Sequence, residues 1–216
     1  MSLLLLSGGT DSACLAKVLR PALCLTVDYG QKIAKAEIES SRNICNRLKL
    51  KHEIVRFNLR SFATGTMAGK KQSHSGAVPE WWPFRNQLLA TVGAMVAFKH
   101  QLNEVIIGTV KSDRRHKDGS LTFLRQIDRL VRQQEGAIRL LAPASKLSAE
   151  ELVSIAEPSL DLLGLTFSCH RSNLPCGQCR GCRKNEAVVS FAIMEKRERA
   201  VFGKTKRSRN KHALEI

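Results

Sequence analysis

The residues best equipped for chemistry are four cysteines spaced Cys169-x6-Cys176-x2-Cys179-x2-Cys182. Four thiolates this close in sequence can surround one metal ion as a tetrahedron, and Gly177 and Gly181 permit the tight turns that make neighbouring sulfurs face it. Zinc is the expected ion; an iron–sulfur cluster, which thiolates also hold, stays open. With four sulfurs no coordination position is left for a reactant, so the metal is expected to be structural, with the adjacent His170 outside the ligand set. Cys14, Cys24 and Cys45 fall on apolar periods and read as core residues.

A second candidate stands at the start of the chain, where the apolar run Leu3 to Leu6 breaks into Ser7-Gly8-Gly9-Thr10-Asp11-Ser12. Four leucines suit a central parallel strand, and Gly8 and Gly9 let the backbone come close to whatever sits at its end. A helix beginning near Asp11 presents free N–H groups beside the hydroxyls of Ser7, Thr10 and Ser12, an arrangement that binds phosphate. The stretch is not the Gly-Lys-Ser/Thr loop of ordinary nucleoside triphosphatases.

Both candidates need a scaffold that gathers strand ends on one side of a sheet. Ala13 to Leu19 reads as a short helix ended by Pro21 and Ala22 to Val27 as a strand, which makes a parallel βαβ unit. A helix follows from Ile33 to Leu48, a strand from His52 to Phe57, and a long irregular loop from Arg60 to Glu80 that includes Lys70, Lys71, Ser73, Ser75 and Gly76. Gln87 to His100 is an apolar, Ala-rich helix, Glu104 to Gly108 a strand, Leu121 to Glu135 an amphipathic helix and Ala137 to Pro143 a last strand. Ser148-Ala-Glu-Glu151 has the form of a capping box opening a further helix. The alternation is that of an α/β domain, which binds ligands at the carboxyl ends of its strands. Trp81 and Trp82 are set either to stack on a purine-like ring or to pack at the foot of the loop, and His116, among Arg114, Arg115 and Lys117, is expected to be exposed.

Ser-Gly-Gly-x-Asp-Ser resembles the pyrophosphate-binding loop of the PP-loop ATP pyrophosphatases. Three further elements resemble one branch of them, the 7-cyano-7-deazaguanine synthases of the queuosine pathway. These are Asp28-Tyr29-Gly30-Gln31 followed by Ala36-Glu37-Ile38, the pair Arg85-Asn86, and Thr166-Phe-Ser-Cys169 with the cysteine cluster behind it. The resemblance implies a Rossmann-like parallel sheet of the adenine nucleotide alpha hydrolase type over residues 1–165, a zinc element over 166–190, and a helix end with a basic tail over 191–216. It implies ATP held through Ser7, Gly8, Gly9, Thr10, Asp11 and Ser12 at the pyrophosphate and through Asp28, Tyr29, Gly30 and Gln31 near the adenosine, with Mg²⁺ on the phosphates. Ser7, Asp11, Ser12, Arg85 and Asp113 would serve catalysis, while Arg85, Asn86, Asp113, Asp118 and Phe123 would meet the second substrate. That substrate would be a 7-carboxy-7-deazaguanine acid, adenylated and then joined to ammonia or another amine, first as the amide and then, with a second ATP, as the nitrile.

Three departures from the family pattern stand out. Phe84 occupies the place of a glycine; of the segment after the fourth strand only Asp118 and Phe123 carry over; and Ser148 replaces a phosphate-facing lysine, with Lys146 nearby. They leave open a relative that stops at the amide or joins the acid to a protein amine, and relatives of this branch also occur in phage-defence gene sets.

The hydrophobic share of 43% and charged share of 25% are those of an ordinary globular protein. No run approaches the roughly 18 apolar residues of a membrane span, and Leu3 to Leu6 is too short for a signal-peptide core, so a cytoplasmic protein without membrane partners is expected. There, cysteines are thiols or metal ligands. With 35 Lys and Arg against 19 Asp and Glu, the net charge of +16 favours nucleotides, nucleic acid or an acidic protein face. Residues 196 to 211 hold eight Lys or Arg and one acid, Glu198, which suits either nucleic-acid contact or a solvated tail. The rival reading is a basic, zinc-containing nucleic-acid-binding protein with a vestigial nucleotide loop, and an intact Ser-Gly-Gly-Thr-Asp-Ser argues against it. A homodimer is left open.

Overall fold

Five strands, all parallel, form one sheet in the order β3-β2-β1-β4-β5 in the computed structural model, which describes residues 1–72, 75 and 78–202. They are β1 (Ser2–Leu5), β2 (Leu23–Asp28), β3 (His52–Arg56), β4 (Glu104–Ile106) and β5 (Arg139–Leu141). The leucine run is the central strand, with Leu3 in register with Leu23 on one side and Val105 on the other. The chain winds outward from β1 to β3, then returns to the other side of β1. The crevice where the winding reverses, between the ends of β1 and β4, is where such sheets take ligands.

Side chains alternate across a strand, so β1 feeds two cores. Leu3 and Leu5 join the layer with Ala90, Val96, Leu124 and Ile127, and Leu4 and Leu6 the layer with Leu15, Ile44, Leu152, Val188 and Ala192. Burying each leucine is worth about 1.5–3 kcal/mol relative to exposure. The first layer is built by α3 (Arg85–Lys99) and α4 (Leu121–Arg132), the second by α1 (Thr10–Leu19), α2 (Ala34–Leu48), α5 (Ala149–Ala156), α6 (Leu160–Gly164) and α7 (Arg180–Phe202). Helix α3 sits tightly on β4: a β-carbon on Gly93 would stand 2.9 Å from Val105 Cγ1.

Local signals set most boundaries. Arg20 and Lys49 end α1 and α2 in the left-handed region, and Ser148 opens α5 by a capping box in which the Glu151 amide donates to Ser148 Oγ at 3.1 Å and the Ser148 amide donates to Glu151 Oε2 at 2.7 Å. Helix α3 begins at Arg85, two positions before the expected start at Gln87, which puts Arg85 and Asn86 in its first turn. The 60–80 segment holds 3₁₀ turns at Arg60–Phe62 and Thr66–Ala68, and it buries Ala63, Met67 and Ala68 rather than skirting the sheet; Ser73 and Gly76 lie outside the described residues. Helix α7 runs unbroken through position 190 and buries Val188 and Ala192, so part of the basic segment, 196–202, is its last turns. The remainder, from 203, lies outside the described residues. Among the described residues no helix is long and apolar enough to cross a membrane.

Candidate active site and metal centre

The turn after β1 is shaped by Gly8, whose φ of 79° is left-handed and whose added β-carbon would meet Ser40 Oγ at 2.7 Å and the Glu37 carbonyl oxygen at 3.0 Å. Its carbonyl oxygen is held by the Phe167 amide at 2.8 Å and the Ser40 hydroxyl at 2.9 Å. Gly9 is the N-cap of α1 and supplies no side-chain cap, so the first-turn amides of this helix lack an intrahelical acceptor. Ser7 Oγ lies 3.4 Å from Ser12 Oγ, and Ser12 donates to the Gly9 carbonyl at 3.0 Å. The Thr10 hydroxyl points elsewhere, donating to Asn185 Oδ1 at 2.6 Å and so tying the loop to α7.

This turn forms one wall of a cavity of about 290 Å³ at the carboxyl ends of β1, β2 and β4. Ser7, Gly9, Thr10, Asp11, Ser12, Tyr29, Arg85, Asn86 and Asp113 all line it, although they lie up to about a hundred positions apart in sequence. Asp11 Oδ2 receives Lys184 Nζ at 2.7 Å, and Asp113 Oδ1 stands 3.7 Å from the same ammonium. Burial pushes the Asp11 carboxyl above the usual range, against the pull of Lys184. Among the described residues, two buried side-chain oxygens lack a hydrogen-bond partner, Asp11 Oδ1 and Thr109 Oγ1, and both residues line this cavity. A buried polar atom without a partner is costly unless a ligand supplies one.

Elsewhere in the lining, burial opposes the charge of Arg85, but Tyr29, Asp118, Glu37 and Asp113 outweigh it and hold the guanidinium above its usual value. Glu37 is clamped by Gln31, whose Nε2 donates to Glu37 Oε2 at 2.7 Å while its Oε1 accepts from the Tyr29 amide at 2.9 Å. Burial pushes the Glu37 carboxyl up to about 7, with Gln31 and Arg85 pulling it back. His116 also faces the cavity, half-buried rather than exposed, because the 3₁₀ turn at Lys111–Arg115 folds it inward. Burial and Arg85 push its imidazole below the ordinary value.

The four cysteine sulfurs Cys169, Cys176, Cys179 and Cys182 lie within 4.8 Å of one another, with Cys176 to Cys182 at 3.9 Å and Cys169 to Cys179 at 4.0 Å. A tetrahedron with metal–sulfur bonds near 2.3 Å has sulfur–sulfur edges of about 3.8 Å. In a four-iron cubane each thiolate binds a different iron, which spreads the sulfurs more widely. Amides of His170, Arg171, Cys179 and Cys182 donate to these sulfurs at 3.4 Å, which favours thiolates. The centre abuts the cavity, since Cys169 belongs to both and Arg180 and Gly181, between Cys179 and Cys182, line the cavity.

The sequence family described as queuosine biosynthesis protein QueC matches residues 1–191. The chain belongs to the QueC family. It is 31% identical over 212 residues to a 7-cyano-7-deazaguanine synthase of Desulforudis audaxviator, with 88% of this chain and 96% of that protein covered. A 7-cyano-7-deazaguanine synthase of Methanosarcina barkeri is 25% identical, with 88% and 94% covered. These distances mark a divergent QueC member. In fold the chain is similar to the U34-tRNA thiolase NcsA from Methanococcus maripaludis with its [4Fe-4S] cluster, at a TM-score of 0.52 and 17% identity. The match covers 94% of this chain and 66% of the thiolase, just under two thirds. The QueC chain therefore has the Rossmann-like PP-loop fold with a four-cysteine cluster near its C-terminus.

Other residues expected at the QueC site lie behind the cavity wall. Asp28 Oδ1 accepts from the Gly30 amide at 3.1 Å, Gly30 turns the chain at φ 95°, and Gln31 is buried beneath Tyr29. Asp118 caps α3, accepting from the Asn86 amide at 3.2 Å through its side chain and from Asn86 Nδ2 at 2.9 Å through its carbonyl. Phe123 packs into the core from α4. Trp82 is buried edge-on to Tyr29, with ring centroids 4.8 Å apart, and neither tryptophan lines the cavity. Lys146 is exposed and away from it. Lys184, Arg180, Thr109 and Glu37 line the cavity without having been singled out from sequence; Glu37 inside Ala36-Glu37-Ile38, Thr109 in the stretch from the fourth strand to Asp113 and Arg180 inside the cysteine cluster lay in segments that carried a signal, and Lys184 did not.

Proposed function

We propose that this chain adenylates the carboxylate of a 7-carboxy-7-deazaguanine-type acid with ATP and passes the acyl group to ammonia. The observation that carries the reading is the cavity itself: in a QueC-family chain, the Ser7 to Ser12 turn with its orphaned Asp11 oxygen, Asp113 beside the same Lys184 ammonium, and Arg85 line one space. Relatives named 7-cyano-7-deazaguanine synthase support the substrate class.

In this reading the first-turn amides of α1 and the hydroxyls of Ser7 and Ser12 bind the pyrophosphate of ATP. A carboxylate oxygen of the acid attacks the α-phosphorus, the bond to the bridging oxygen breaks, and pyrophosphate leaves with the electron pair. Arg85, a permanently charged guanidinium, pairs with the acid and aims it. Ammonia then adds to the acyl carbon and AMP departs, leaving the amide; a second ATP carries the amide to the nitrile. Asp11 and Asp113, two carboxylates at the phosphate end, form a donor set suited to Mg²⁺, which supplies charge neutralisation for the leaving pyrophosphate. No side-chain nucleophile is required. The four thiolates suit one zinc ion, which supplies structural cross-linking of 169–182 and leaves no position for a reactant.

The test is incubation with ATP, Mg²⁺, ammonium and 7-carboxy-7-deazaguanine, following AMP by chromatography and the acid by mass. Stoichiometric AMP with amide or nitrile is the expected result. AMP without either product would point to another amine, and absence of AMP would remove the reading.

A further inference from the structure

Lys184 reaches the phosphate end of the cavity from the opposite end of the chain, and among the described residues it is the only lysine lining that cavity. Two anchors fix it there. Cys179 and Cys182 of the metal centre stand just before it at the start of α7, and Asn185, the next residue, accepts from Thr10 of the loop at 2.6 Å. Gly181 lets α7 press against the 168–170 segment, for its added β-carbon would stand 1.8 Å from the Ser168 carbonyl oxygen.

An ammonium carries three N–H donors. Asp11 takes one at 2.7 Å and Asp113 lies within ion-pair reach at 3.7 Å, which leaves donor capacity at the mouth of the α1 N-terminus. The other cations of the cavity are committed elsewhere. Arg85 is embedded among Tyr29, Glu37 and Asp118, and Arg180 pairs with Glu80 at 4.0 Å and donates to the Ser112 carbonyl at 3.4 Å.

We propose that Lys184 binds the outer phosphates of ATP in this site, an inference that rests on the ATP reading above. Its partners Asp11 and Asp113 hold the ammonium in place, and the metal centre with Asn185 holds the helix that presents it.

The test measures equilibrium binding of ATP and of AMP, each with Mg²⁺, to the full chain and to Lys184→Met and Lys184→Arg, with metal content and melting temperature recorded for each protein. AMP lacks the β and γ phosphates, so a phosphate contact beyond the α position predicts discrimination. Lys184→Met should weaken ATP by about tenfold to hundredfold, the range of a lost charge-assisted hydrogen bond, leave AMP within a factor of about three, and keep its metal; Lys184→Arg should retain most ATP affinity. Unchanged ATP binding in Lys184→Met, or equal weakening of ATP and AMP, overturns the proposal alone. Lack of ATP binding by the unaltered chain removes the ATP reading along with it.

Discussion

Lys184 Nζ lies 2.7 Å from Asp11 Oδ2, an ion pair across 173 positions that fastens the last helix to the turn after the first strand. The loop and the segment that follows the cysteines therefore meet along one cavity wall. Replacing Asp11 by Asn removes the charge of the ion pair, and Asp11's charge from the Mg²⁺ donor set proposed above, while keeping the shape. Turnover should fall by about 10²- to 10³-fold, as when an electrostatic partner of a transition state is lost, with zinc content unchanged by metal analysis. Full activity in Asp11→Asn would show that the loop does not bind the reacting phosphates.

Gly181 is the point where α7 touches the 168–170 segment that carries Cys169. A methyl group there must displace the Ser168 backbone, since 1.8 Å is far inside any contact distance. Gly181→Ala should cost about 2 kcal/mol or more, lower the melting temperature and reduce bound metal. Normal metal content and melting would mean that the two segments can part without loss.

Phe84 holds φ 57° at the N-cap of α3 and is 77% exposed. The family pattern has glycine at this place, and the left-handed backbone gives the reason. A left-handed L-residue costs about 1–2 kcal/mol, and glycine's extra freedom when unfolded takes back about 0.5–1 kcal/mol. Phe84→Gly should therefore stabilise by up to about 1.5 kcal/mol, at roughly 2–4 °C in melting temperature per kcal/mol for a domain of this size. A lower melting temperature would show that the ring makes contacts worth more than the strain.

Glu37, raised by burial from 4.5 to about 7, sets a pH dependence of stability. Between these values the folded chain holds a proton that the unfolded chain has released, so the contribution of Glu37 falls as pH rises from 4.5 and is fully lost above about 7. Its size has an upper bound of roughly 3 kcal/mol. Denaturant unfolding across that window should show a steeper decline for the unaltered chain than for Glu37→Gln, which stays neutral. Parallel curves would remove Glu37 from the titration.

The sheet was legible because its cues were local. Leu3 to Leu6, Pro21 and the Ser148 box each announce an element without help from distant residues. The cysteine cluster was legible for the same reason, since its members lie within fourteen residues and two-residue turns join Cys176, Cys179 and Cys182. Of helix α7 only the end, beyond position 191, was expected; its first turns were not, because they are mostly polar and the helix buries little beyond Val188 and Ala192, so no clear apolar period marks its start. Lys184 was hidden with it. Its position depends on a helix whose docking is set by the cysteines and by Thr10 to Asn185, contacts that no local pattern carries. His116 read as exposed from its basic neighbours, yet the turn before it folds it into the cavity.

The central claim is that the acid's own oxygen attacks the α-phosphorus of ATP. It is tested most directly by supplying 7-carboxy-7-deazaguanine labelled with ¹⁸O in its carboxylate and measuring the mass of the AMP formed. Adenylation transfers one labelled oxygen to the phosphate of each AMP. Unlabelled AMP, or ADP in its place, would contradict the account.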